Sequence, residues 1–111
     1  MNLKTIKMFT LLMLAVRNIE NRDVQTRVVR TLLEAGADPN KTSYRGNYVP
    51  LMFAGYSPVI ELLVKHGAKL DVIDGEYGLT PLINACMHNE TEAAKTLIKS
   101  ALTIINYIIF L

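Results

Sequence analysis

The sequence predicts an all-α solenoid: stacked helix-turn-helix units joined by hairpin-like finger loops, in a single domain spanning residues 1–111. Three observations predict it. The first is a recurrence: Leu32-Leu33-Glu34-Ala35-Gly36-Ala37-Asp38 is echoed by Leu63-Val64-Lys65-His66-Gly67-Ala68-Lys69, with Gly36 and Gly67 31 positions apart. The second is an independent landmark with the same period, Val49-Pro50-Leu51-Met52-Phe53-Ala54 and Thr80-Pro81-Leu82-Ile83-Asn84-Ala85. The third is the spacing of apolar residues before each glycine (Val28, Val29, Leu32, Leu33; then Val59, Ile60, Leu63, Val64), which has the helical period.

Composition narrows the function classes. A chain of 111 residues that is half hydrophobic has material for one continuous core without staples. The single cysteine, Cys86, excludes an intramolecular disulfide and suits a reducing compartment. The expected location is therefore the cytoplasm, with the nucleus as the alternative. Twelve Lys and Arg against ten Asp and Glu give +2, far short of the basic face that nucleic-acid binding needs.

From the N-terminus, Lys4 and Lys7 precede the apolar run Met8 to Val16, in the manner of a secretory signal. No small-x-small cleavage pattern follows Ala15. Thr10-Leu11-Leu12-Met13-Leu14-Ala15 also occupies the register of Thr80 to Ala85, which makes the run the inner helix of a first repeat. Helices should start at each Pro-Leu, because proline at the first helical position gives up a donor that has no intrahelical partner, and Thr80 can cap the helix behind Pro81. Helices should end at Gly36 and Gly67, where a left-handed residue closes the last turn. Ser57-Pro58 and Asn89-Glu90 read as the caps of the outer helices, with Glu92 three residues past Asn89 in a capping-box-like pattern. The repeats then cover about 10–40, 49–71 and 80–101, and 102–111 is an atypical apolar tail.

Those same residues resemble the ankyrin family, whose unit of about 33 residues carries Thr-Pro-Leu-His-x-Ala in the first helix and Leu-Leu-x-x-Gly-Ala-Asp at the end of the second. The resemblance covers roughly Thr10 to Ala101, is close from Leu32 to Asn40, and departs at Ile83, where the family has His. Against the family's spacing, repeat one has roughly five extra residues around Arg17 to Arg22, and repeat two is about three short between Ala54 and Val59, so its inner helix should end early at Gly55. The resemblance implies that Asp38 to Tyr48 and Lys69 to Leu79 are projecting fingers. It also implies a concave surface that binds a protein partner, with no catalysis, no cofactor and no nucleic acid.

No Ser-centred elbow, phosphate loop or zinc-protease helix is present. Cys86 and His88 cannot form a four-ligand zinc site alone, so no metal is expected, and Cys86 reads as a small core residue. His66, in the last turn before Gly67, reads as a helix-end residue. The binding lead is aromatic. Tyr44, Tyr48 and Tyr77 lie on two successive fingers, Tyr56 and His88 near the ends of inner helices, with Arg45, Asn47, Glu76 and Met87 beside them. Tyrosine supplies large amphipathic contact area at low entropy cost. The bland alternative is that individual tyrosines pack under their own finger. Arg17, Glu20, Arg22, Asp23, Arg27 and Arg30 read as a solvated face.

The end, Leu102 to Leu111, lacks a Gly-Ala-Asp turn and is strongly apolar. A terminal repeat needs a polar outer face, so the tail should fold back over the last helix pair; otherwise it meets a partner, a second copy, a membrane or further repeats. It is too short to span a bilayer. The rival function is a small membrane-associated or secreted protein that uses the apolar segment at either end for targeting or anchoring.

Overall fold

The computed structural model describes residues 3–43 and 45–109, with side chains from residue 11 onward. Five α-helices are present among them, α1 (Leu3–Asn18), α2 (Arg22–Glu34), α3 (Ser57–Lys65), α4 (Pro81–Met87) and α5 (Thr91–Ile109), together with a 3-10 turn at Pro50–Met52. No strand occurs among the described residues. The chain is an all-α stack in which α1, the 3-10 turn and α4 form the inner row, and α2, α3 and α5 the outer row. The helix pairs α1 with α2 and α4 with α5 pack within their repeats, while α2 with α3 and α3 with α5 join the repeats.

The caps explain the boundaries. The Asn21 side chain accepts from Val24 N at 3.1 Å and starts α2. At its end Gly36 adopts φ +101°, and the amides of Gly36 and Ala37 return to the carbonyls of Leu33 and Leu32. Gly67 repeats this closure at φ +95°, with bonds to Val64 and Leu63. The expected cap at Asn89 is corrected. Asn89 itself takes φ +56°, and the Asn89 and Glu90 amides bond to Cys86 and Ala85. It therefore closes α4 as the glycines close the outer helices, and α5 begins at Thr91. Ser57 is also not a cap. Tyr56 holds that position without a side-chain bond, and the Ser57 hydroxyl lies 2.7 Å from that of Thr96 on α5.

Apolar faces meet in one continuous core containing Leu12, Val29, Leu33, Leu51, Val59, Ile60, Leu63, Ala85, Ala93 and Leu97. Because Leu12, Ala15 and Val16 belong to it, a chain processed after Val16 would lose the floor of its first repeat. The second inner helix shrinks to one 3-10 turn, in keeping with its missing residues, and Phe53 N closes it on Pro50 O. The fingers are tight loops, not two-stranded hairpins. One backbone bond closes each, Ser43 N to Tyr48 O and Asp74 N to Leu79 O, and Gly75 N to Gly46 O, at 2.7 Å, ties them together. Asn40 links the same repeats by donating to Gly67 O and accepting from Lys69 N, both at 2.8 Å.

Two further expectations are overturned. Cys86 is exposed and does not enter the core, because α4 buries the face that carries Pro81 and Ala85, and the next residue is rotated about 100° away. The tail does not fold back. It continues α5 outward to Ile109, and its side chains from Leu102 to Ile109 are exposed. Among the described residues no helix is long and apolar enough to cross a membrane.

Candidate binding groove

The fingers and the inner row enclose a groove of about 1010 Å³. Its apolar floor consists of Met13 from α1, Met52 from the 3-10 turn, Phe53 just after it, and Met87 from α4. Arg45, Tyr48, Asp74, Tyr77 and Leu79 form the finger wall, and Arg17, His88 and Glu90 the opposite edge.

The finger wall is rigidified by one buried carboxylate. Asp74 accepts from the amides of Glu76 and Tyr77 through Oδ1, at 2.9 and 2.6 Å, and from Leu79 through Oδ2, at 2.9 Å. These backbone donors, Tyr77's first, hold its carboxyl below the usual carboxylate range. The equivalent place on the first finger is held by a hydroxyl: Ser43 Oγ donates to Arg45 O and accepts from Tyr48 N. Tyr48 leans across the gap and donates its phenol to Glu76. That bond, with the Glu76 charge, pushes its pKa up to about 12, and hydrogen bonding to the same carboxylate also raises Tyr77. Beneath, Tyr48 packs on Phe53 with ring centroids 5.5 Å apart. The Arg17 guanidinium lies over the other side of this cluster, 4.6 Å from the Phe53 centroid. His88 ends α4 with Nδ1 2.8 Å from Asn84 O, so in its neutral form Nδ1 carries the proton and Nε2 is left to accept. His66 makes the matching bond to Leu62 O at 2.9 Å, the helix-end role that its position implies.

Of the residues that the sequence nominates, Arg45, Tyr48, Tyr77, Met87 and His88 come together in the groove. Asn47 and Glu76 stand outside its lining, Asn47 at a finger tip with φ +50° and Glu76 as the acceptor for Tyr48. Tyr56 is also outside it, half-buried beneath the Arg22 guanidinium at 5.2 Å. Tyr44 lies outside the described residues. Sequence reasoning missed Met13, Arg17, Phe53, Asp74 and Glu90. Met13 and Arg17 share a helix face at i, i+4, a signal that was available once the first inner helix had been placed. Arg17 stays on the solvated surface with Glu20, Arg22, Asp23, Arg27 and Arg30, and in addition borders the groove.

Nothing in this lining resembles a nucleophile–base pair, and among the described residues no three His, Cys, Asp or Glu side chains gather as a metal group. What the arrangement offers is a preformed concave surface with an apolar floor and charged edges of both signs. Paired helices, finger loops and a groove along the inner row define a helical-repeat protein of the solenoid class. The sequence model for ankyrin repeats, in three copies, matches residues 12–107, and the chain belongs to the ankyrin-repeat family. Among curated proteins, it is 45% identical over 51 residues to cyclin-dependent kinase 4 inhibitor B of Rattus norvegicus, and equally to that of Mus musculus. Each match covers 45% of this chain and only 39% of the relative's own length. Membership of this family supports the coarse reading of a protein-interaction module.

Proposed function

We propose that the chain works by holding a protein partner in the groove between its fingers and inner row, without catalysing a reaction. The observation that carries this reading is the composition of the groove. Tyr77 and Met87 are 70% and 64% exposed on a rigid frame, beside the Phe53–Arg17 pair and edge charges of both signs. Aromatic, methionine and arginine side chains on a preorganised concave surface supply contact area with little further ordering cost. Mixed charge along the edges suits a protein better than a polyanion.

The relatives, named as inhibitors of a cyclin-dependent kinase, nominate a kinase of that class as the first purified partner to try. The proposed location is the cytoplasm or nucleus, which fractionation checks. The binding test uses a photo-cross-linking amino acid placed at Met87 in the groove or at Arg30 on the outer helix α2. Adducts to a partner from Met87 and none from Arg30 support the groove. Adducts from Arg30 alone would move the binding site to the outer row.

A further inference from the structure

Each repeat offers the same register positions to its neighbours, and burial at those positions depends on whether a neighbour is there. Pro50 starts the 3-10 turn and Pro81 starts α4, and Leu11 holds the same register on α1. α3 and α5 start at Ser57 and Thr91, which sets Val59, Leu63 and Val64 against Ala93, Leu97 and Ile98. The side that meets a preceding repeat is closed in the second and third repeats, where Pro50, Val59 and Leu63, then Pro81, Ala93 and Leu97, are buried. In the first of the three, Leu11 is 51% exposed, and Val28 and Leu32 are only half-buried. The far end shows the converse. Met13, Val29 and Leu33 of the first repeat, and Met52 and Ile60 of the second, are buried on the side that meets a following repeat. In the third, Ile83 and Ile98 are 45% and 47% exposed and Ala94 is half-buried. Both end faces are thus apolar where a capping repeat would carry polar residues.

We propose that these two faces bind each other, the third repeat of one copy stacking on the first repeat of the next in the register that joins repeats within the chain. The partner is selected by a junction that the chain already makes twice. At each internal junction the following side of one repeat and the preceding side of the next are buried together, with α2 packed on α3 and α3 on α5. One end of the molecule presents the first of these sides uncovered and the other end the second, so the chain carries both halves of its own junction. The outer helices match in spacing and in charge. Val24, Val28 and Leu32 on α2, and Ala94, Ile98 and Leu102 on α5, each recur every four residues with no charge among them, the ridges that pack into one another's grooves. Because the contact joins unlike faces, it does not close on itself: a pair still presents one free face at each end, and further copies add in line. The inner rows of successive copies then align, and their grooves form one longer surface.

Sedimentation equilibrium of the full chain, from about 1 to 100 µM, tests the contact with one variant for each face. Leu11→Glu/Val24→Glu blocks the first-repeat face and Ile83→Glu/Ile98→Glu the third-repeat face. All four positions are exposed, so circular dichroism and urea midpoints should stay at their native values. The native mass is expected to climb with concentration through two chains and beyond, and each variant alone to sediment as a single chain. Mixed in equal amounts, the two variants should form a pair and nothing larger, because each retains the face that the other lacks. A single-chain mass for the native protein at about 100 µM would overturn the proposal. So would a native protein that stops at two chains, as a twofold contact would, a variant that still associates alone, or a mixture that stays single.

Discussion

Gln25 is the clearest case of one side chain that holds two helices. It is 2% exposed, donates to the carbonyls of Ala15 and Val16 at 3.1 and 3.0 Å, and accepts from Arg22. It thereby satisfies the last carbonyls of α1 from within α2. Gln25→Leu, similar in volume but without donors, should lower unfolding free energy by about 1–3 kcal/mol in urea titrations, the cost of leaving buried acceptors unpaired. The finger carboxylates make a pH prediction with a definite sign. Tyr48 keeps its proton to about pH 12 in the folded chain and to about pH 10 when unfolded. Its contribution to stability is therefore complete below pH 10 and is lost between 10 and 12, which alkaline melting and tyrosinate absorbance can follow. In Glu76→Gln the phenol should ionise earlier. Asp74 works in the opposite sense. With its folded pKa depressed, its contribution is present above the unfolded value near 4 and is lost as pH falls through the folded one.

At the scale of elements, three left-handed residues end three of the helices: Gly36, Gly67 and Asn89. An added Cβ meets no atom within 4 Å at Gly36 or Gly67, so Gly→Ala there costs only backbone strain, about 1 kcal/mol each by thermal or urea unfolding. Asn89→Gly should be neutral or slightly stabilising, and Asn89→Val destabilising by a similar amount. Asn89 also marks what could be read in advance and what could not. The Gly-Ala closures were legible because glycine has one strong reason to sit there. Asparagine serves equally as an N-cap or as a left-handed C-terminal residue, and only the register of the Glu90 amide with Ala85 distinguishes them. Ser57 was misread in the same way, because its partner, Thr96, is 39 residues away. Cys86 failed on rotation: a seven-residue helix anchored on Pro81 and Ala85 turns its neighbour outward. In the groove, finger positions such as Tyr48 and Tyr77 follow from the repeat. The Arg17–Phe53 pair depends on how closely α1 approaches the shortened second repeat, a distance that no local pattern encodes.

For the whole molecule, the core joins every repeat, and none buries its apolar face alone. Leu63 is fully buried on α3, between the other two outer helices, so Leu63→Ala should cost about 2–5 kcal/mol and lower a single cooperative transition. Two resolved transitions, with one repeat surviving, would contradict one continuous stack. This cooperativity has a functional consequence. The groove draws its floor from all three inner elements, so its geometry persists only while the repeats are stacked. Binding should accordingly raise the unfolding midpoint with partner concentration.

The most direct test of the groove as the binding surface is affinity capture with the native chain and with Arg45→Glu/Tyr77→Ser/Met87→Ser, three exposed positions whose replacement leaves the core intact. Matched circular dichroism and urea midpoints establish that both chains are equally folded. The account predicts that a protein partner retained by the native chain is lost from the triple variant. Equal retention by both would contradict it and place binding elsewhere on the stack.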